Sequence, residues 1–430
     1  MSNQILPRVV RTPGAVLMGL GSILGTGIFV SIGLAAEAAG SLALLAVGLA
    51  AIVATFNGLS SASLAANHPV SGGTYEYGYH YLNPTFGFIA GWMFLAAKSA
   101  SAATAALAIV GYAARILAPD SGVETALPWI ALGVVAAMTL LVASGLKRTN
   151  TANTVIVSLT IAALLTLIAA GAVYLFGTEY ISPGPSSESP GMLGLFEATA
   201  LMFVAYTGYG RIATLGEEIH EPRRSIPRAI IITLLVACLL TVSVAAVSLG
   251  TLGADGLAAA TRDDAAPLIA VANKIDSPAV ALLIAIGAFT AMIGVLVNLL
   301  LGLSRVVLAM ARRGDLPGPL AQIDAGSPRR AVYLVGALIG GLALIGSVKT
   351  TWTFSAFTVL IYYAITNLAA LRIAAADRLF PRIVPLLGLI SCLSLAFFVD
   401  ATVWGTGLGL IAVGLVWQWV ARHLRTKDNG

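Results

Sequence analysis

Apolar runs long enough to cross a bilayer follow one another along this chain, and they leave it few folds to choose from. A crossing helix needs about 20 apolar residues. Windows of that length fall near 13–39, 42–66, 86–112, 127–145, 152–176, 193–215, 226–250, 279–310, 331–348, 352–373, 384–400 and 402–421. Charged residues make up only 10% of the 430 and mean hydropathy is +0.92, far from the soluble range. The reading is an all-α integral membrane protein of about 12 transmembrane helices, one domain over residues 1–430. The first apolar run is too long for a signal-peptide core, so that span is expected to be retained.

Basic residues set the expected orientation. With the N-terminus inside, the segments outside the cell hold only Arg115, Arg262, Lys274 and Lys349. Lys98, Arg211 and Arg305 lie within or at the edge of spans, and the other seventeen of the 24 lysines and arginines fall inside. The outer loops are acidic instead, with Asp120, Glu124, Glu179, Glu188, Asp255, Asp263, Asp264 and Asp276. Both termini are therefore expected in the cytoplasm and the protein in the cell membrane. The formal charge of +5 is a topological signal and gives no case for nucleic acid. Cys238 and Cys392 lie in apolar spans, and His68, His80, His220 and His423 lack ligand spacing, so no disulfide, metal or cofactor is expected. No catalytic motif supports an enzyme. Asn67–Asn83 is too polar and aromatic to span and is expected to lie on the membrane surface or fold back on the bundle.

Two spans are interrupted. Gly21-Ser22-Ile23-Leu24-Gly25-Thr26-Gly27-Ile28-Phe29 puts three glycines and two hydroxyls inside span 1. Taken alone this fits either a ligand-lining break or a close-packing motif, since Gly21 and Gly25 have the GxxxG spacing. Phe203-Val204-Ala205-Tyr206-Thr207-Gly208-Tyr209-Gly210-Arg211 interrupts span 6, five spans later and running the opposite way. Paired breaks of opposite orientation predict a 5+5 inverted repeat, 13–176 and 193–373, followed by two additional helices over 384–421. Freed N–H groups at one half-helix end suit a carboxylate, and freed carbonyls at another suit an ammonium. An α-amino acid needs both.

These stretches resemble the amino acid–polyamine–organocation (APC) superfamily, whose members share the leucine-transporter-like fold. Gly21–Phe29 is similar to its first-span motif, and Pro69-Val70-Ser71-Gly72-Gly73-Thr74-Tyr75 to its P-x-[AS]-G-G-x-Y stretch. Glu217-Glu218 through Pro222 to Ile226-Pro227-Arg228-Ala229-Ile230 resembles its E-E-x-x-x-P-x-x-x-I-P-x-A-I run. Ser304-Arg305 through Asp315-Leu316-Pro317 is similar to the end of its eighth span. The resemblance implies a secondary transporter of amino acids. It implies a carboxylate cradle at Thr26 and Gly27, with Gly25 allowing close approach, and an ammonium site at the carbonyls of Ile23, Val204, Ala205 and Thr207. Two departures stand out. Gly210 and Arg211 follow Gly208-Tyr209 where the family often has Asp, and span 5 has no lysine where some proton-coupled relatives carry one.

Lys98 sits roughly 18 Å deep in span 3, too far for its head group to snorkel out. It is either a coupling or gating group, replacing the span-5 lysine, or an amine tying helices together. Glu197, near a helix start, reads as a dipole partner or a second titrating group. Glu217, Glu218, Arg223 and Arg224 read either as an inner gate or as solvated charges, Tyr206 and Tyr209 as packing ahead of a pocket floor, and Ser304 as a weak candidate ion ligand. Small neutral substrates are expected, and proton symport ahead of exchange or facilitated diffusion. The rival is an amino acid sensor of the same fold, which expects a signalling domain or tail beyond the last span. The oligomeric state is not legible.

Overall fold

The computed structural model describes residues 8, 10–70, 72–117, 126–145, 150–177, 191–214, 216–324 and 327–428. Lys147, Arg148, Ser71 and the acidic loop residues Asp120, Glu124, Glu179 and Glu188 lie outside the described residues.

Helices α1 (Thr12–Ile23), α2 (Thr26–Phe29) and α3 (Ser31–Ala39) occupy the first apolar run. They are followed by α4 (Ala43–Asn67), the short α5 (Thr74–Tyr77), α6 (Pro84–Leu117), α7 (Leu127–Ala143) and α8 (Asn150–Gly177). Next come α9 (Gly191–Tyr206), α10 (Gly210–Thr214), α11 (Pro222–Asp264), α12 (Pro267–Lys274) and α13 (Pro278–Arg313). The last are α14 (Arg329–Ile345), α15 (Val348–Ala370), α16 (Ile383–Leu395) and α17 (Ala401–Asp428). Among the described residues eight helical stretches are long and apolar enough to cross a membrane, and α1, α7 and α16 are shorter apolar helices. The molecule is a multi-pass membrane protein. Within α11 the spanning helix breaks at Gly253, close to the expected end at 250: Gly253 takes φ 70° and ψ 173°, outside helical geometry, and a second helical segment follows to Asp264.

Small residues hold the interior together. Van der Waals packing, not the hydrophobic effect, joins helices in lipid, and small side chains let backbones approach. Helix α4 packs on α11 with Ala50, Ala54, Gly58, Ala62 and Ala65 buried, and a Cβ at Gly58 would lie 2.5 Å from Leu234 Cδ1. Large apolar side chains such as Val173, Phe176 and Trp419 point outward, where lipid satisfies them.

Residues 68–83 fold back against the bundle. Gly72 and Gly73 take φ of 126° and 59°, a turn that side-chain-bearing residues rarely make. The turn delivers Tyr75 and Tyr77 into the interior. The Tyr75 and Tyr79 hydroxyls donate to Asp315 Oδ2 at 2.8 and 2.6 Å, and Arg313 pairs with Glu76 at 2.7 Å, so the loop is clamped to the end of α13. His68 stacks on His80, ring centroids 4.1 Å apart. Burial, then the neighbouring His80, hold His68 below its ordinary value of 6.5. The folded protein thus binds fewer protons here than the unfolded chain, and this contribution to stability is lost as pH falls below 6.5. The melting temperature in detergent should drop as pH falls below 6.5, and His68→Gln should flatten that limb.

Candidate functional site

The first break comes where the backbone leaves helical geometry at Leu24 (ψ 77°) and Gly25 (φ −155°, ψ −135°). Leu24 N–H still reaches Leu20, but Gly25 N–H turns back to Ile23 O at 2.9 Å, and a new turn starts at Thr26. The second break is the tightened turn Thr207–Tyr209 between α9 and α10. The two cross in contact. A Cβ on Gly208 would lie 2.5 Å from Ser22 C and O, and one on Gly27 would lie 2.7 Å from Ala205 Cα. The glycines that interrupt the sequence are what allow the breaks to meet.

Between them is a cavity of about 40 Å³, lined by Ser22, Ile23, Thr26, Gly27, Lys98, Ser101, Val204, Ala205, Thr207, Val295, Leu299 and Trp352. Six of the seven residues expected at the amino acid, together with Lys98, are brought to this one space. Gly25 is not among them: it presses on α13, where its Cβ would meet Val295 Cγ2 at 2.5 Å, so the close approach it allows is between helices. The Thr26 hydroxyl is buried without a hydrogen-bond partner. Opposite, Val204 O accepts from Thr207 Oγ1 at 2.7 Å, and Thr207 O accepts from Tyr363 at 3.2 Å. The Gly210 backbone N–H also donates to Thr207 O.

Lys98, midway along α6, donates from Nζ to Thr207 Oγ1 at 2.9 Å. It stands where the small cavity adjoins a larger one of about 140 Å³. Ser22, Thr207 and Leu299 are shared as well; the larger space runs past Phe94, Gly208, Arg211, Asn298 and Gly302 to the exposed Arg305 and to Gly72. Glu37 on α3 pairs with Lys349 on α15 at 3.2 Å and Arg262 on α11 at 3.8 Å.

Several side chains take plainer places. Tyr206 and Tyr209 are fully buried and line neither cavity. Ser304 donates to Leu301 O within its own helix. Arg223 pairs with Asp377 at 3.4 Å on an exposed surface. Ser101, Val295, Leu299 and Trp352 were not anticipated at the site. Trp352, near the start of α15, is 3% exposed and donates to Leu201 O at 2.9 Å. A tryptophan in the first turns of a span has the same sequence signal whether it meets lipid headgroups or roofs a cavity.

The family model for amino acid permeases matches residues 14–422. The chain belongs to the amino acid permease family. This permease is 37% identical to an uncharacterized transporter of Mycobacterium tuberculosis, over 97% of its own length and 92% of the relative's. It is 32% identical to a branched-chain amino acid permease of Bacillus subtilis over 76% and 73% of the two chains. It is 27% identical to a methylthioribose transporter of the same species over 96% and 93%. The family carries solutes across membranes and is not a family of enzymes.

Proposed function

We propose that this permease is a secondary active transporter of amino acids that binds its substrate between the two helix breaks and works by alternating access. The observation that carries the reading is the small cavity walled on both sides by interrupted helices, with the Thr26 hydroxyl unpartnered inside it. The α-carboxylate is assigned to Thr26 and Gly27, and the ammonium to the carbonyls of Ile23, Val204, Ala205 and Thr207. These are mostly backbone groups, so they recognise what all amino acids share. The opposed breaks support the 5+5 repeat, with cytoplasmic termini from the charge bias. In that orientation the larger cavity opens to the cytoplasm, and Glu37 with Lys349 and Arg262 latches the outer side.

Counterflow of labelled amino acids into proteoliposomes is the test. Accumulation against preloaded unlabelled substrate is expected; binding without counterflow would favour a sensor. Because one relative carries methylthioribose, a thiosugar belongs in the panel as the competing class. Proton symport is the proposed coupling mode, with Lys98 as the group that gains and loses the proton. An imposed inward proton gradient should drive accumulation, and Lys98→Gln should flatten the pH profile of uptake. Gradient-independent exchange would identify an exchanger or facilitator instead.

The outer latch gives a further expected result. Its ion pairs are half-exposed on the basic side, so each contributes about 1 kcal/mol or less. Glu37→Gln should move the balance toward the outward-open form by about two- to fivefold. The same factor should appear as a lower KM for external substrate in right-side-out vesicles.

A further inference from the structure

We infer that the substrate side chain is anionic and that the permease carries acidic amino acids, with the Lys98 ammonium as the counter-charge. This rests on the amino acid reading above and displaces the small neutral class that the sequence alone led us to expect.

The charge of the two cavities is one-sided. Among the described residues, every charged one lining them is a cation, namely Lys98, Arg211 and Arg305, and neither Asp nor Glu lines either space. Lys98 Nζ reaches one neutral oxygen, Thr207 Oγ1, which already donates its own proton to Val204 O. The elements packed around the amine offer it Ser22 from the first break, Ser101 from α6, Asn298 from α13 and Trp352 and Tyr363 from α15, all of them neutral. An ammonium at membrane depth is costly without an opposite charge, and the described residues supply none along the cavity walls.

Position separates the two carboxylates of such a substrate. Thr26 and Gly27 line only the small cavity, so the α-carboxylate end lies there. Lys98 stands at the junction, so a side chain leaving the small cavity passes the amine and enters the space lined by the two arginines. A second carboxylate meets a hydrogen-bonding cation, an amide meets a donor without charge complementarity, and a lysine or arginine side chain meets the like charge of Lys98.

The test uses the full chain in proteoliposomes and pairs matched in shape: L-aspartate against L-asparagine, and L-glutamate against L-glutamine, with L-leucine and L-lysine alongside. The acidic member of at least one pair should be taken up about tenfold or more faster at limiting concentration, as expected where a site built around a charged group loses its partner. Lys98→Gln should collapse that ratio toward one, and Lys98→Arg should keep its direction. If both variants misfold, the wild-type ratio decides alone. Amides or leucine carried as well as or better than the acids would overturn the inference and leave amino acid transport standing. Neither binding nor uptake of any amino acid in the panel would overturn both.

Discussion

Gly208→Ala is expected to reduce amino acid uptake by about 100-fold or more. The added Cβ would lie 2.5 Å from both the carbonyl carbon and oxygen of Ser22, and 2.6 Å from Ile23 Cγ1. The first two are backbone atoms of the opposite break, so no rotamer change relieves the clash, and the two walls of the small cavity must part. Displacing a binding group by about 1 Å costs on the order of 100-fold. Gly48→Ala is the matched control. It lies in α4 with nothing within 4 Å of the new Cβ, and uptake should be unchanged. Equal activity of the two variants, measured at equal surface expression, would mean that the breaks do not need to touch.

Asn57→Ala is expected to have the largest effect on stability. Asn57 and Asn367 are both wholly buried, and Asn367 Nδ2 donates to Asn57 Oδ1 at 2.7 Å. Cys392 Sγ donates to the same oxygen at 3.2 Å, so one amide joins α4, α15 and α16. Removing it leaves those donors short of an acceptor. A buried polar group left unpaired costs about 1–3 kcal/mol, and hydrogen bonds between helices in membranes fall toward the lower end. The effect extends to transport, because the next turn of α15 carries Tyr363, whose hydroxyl holds Thr207 O at 3.2 Å. Thermal unfolding in detergent should show the loss. The Asn57→Leu, Asn367→Leu double variant should recover part of it, since removing both partners costs less than orphaning one.

Much of the fold was legible because lipid forces backbone polar groups to pair within each span, so an apolar window is nearly a helix boundary. The expected windows 42–66 and 279–310 fall on α4 (Ala43–Asn67) and α13 (Pro278–Arg313). The breaks were legible because glycine and hydroxyl residues are conspicuous in such windows, and Lys98 because a charge at depth needs a reason. What hydropathy could not resolve is which way an apolar side chain faces. In lipid both faces of a helix are apolar, so Val295 and Leu299, which line the cavity, look like the lipid-facing Leu282 and Leu283 on the same helix. Gly25 shows the same limit. Its sequence context marks a close approach, but only the packed structure shows that the partner is Val295. The tyrosines of 75–79 were expected on the membrane surface or against the bundle, and the choice turned on Asp315, some 240 residues away, which accepts from both hydroxyls.

If the substrate's α-carbon groups sit between the two breaks, as proposed, a structure determined with a bound amino acid shows it most directly. The α-carboxylate is expected within hydrogen-bonding distance of the Thr26 and Gly27 backbone N–H groups and the Thr26 hydroxyl. The ammonium should face the carbonyls of Val204, Ala205 and Thr207. An amino acid held only in the larger cavity, touching Arg211 and Arg305 without reaching Thr26, would contradict it.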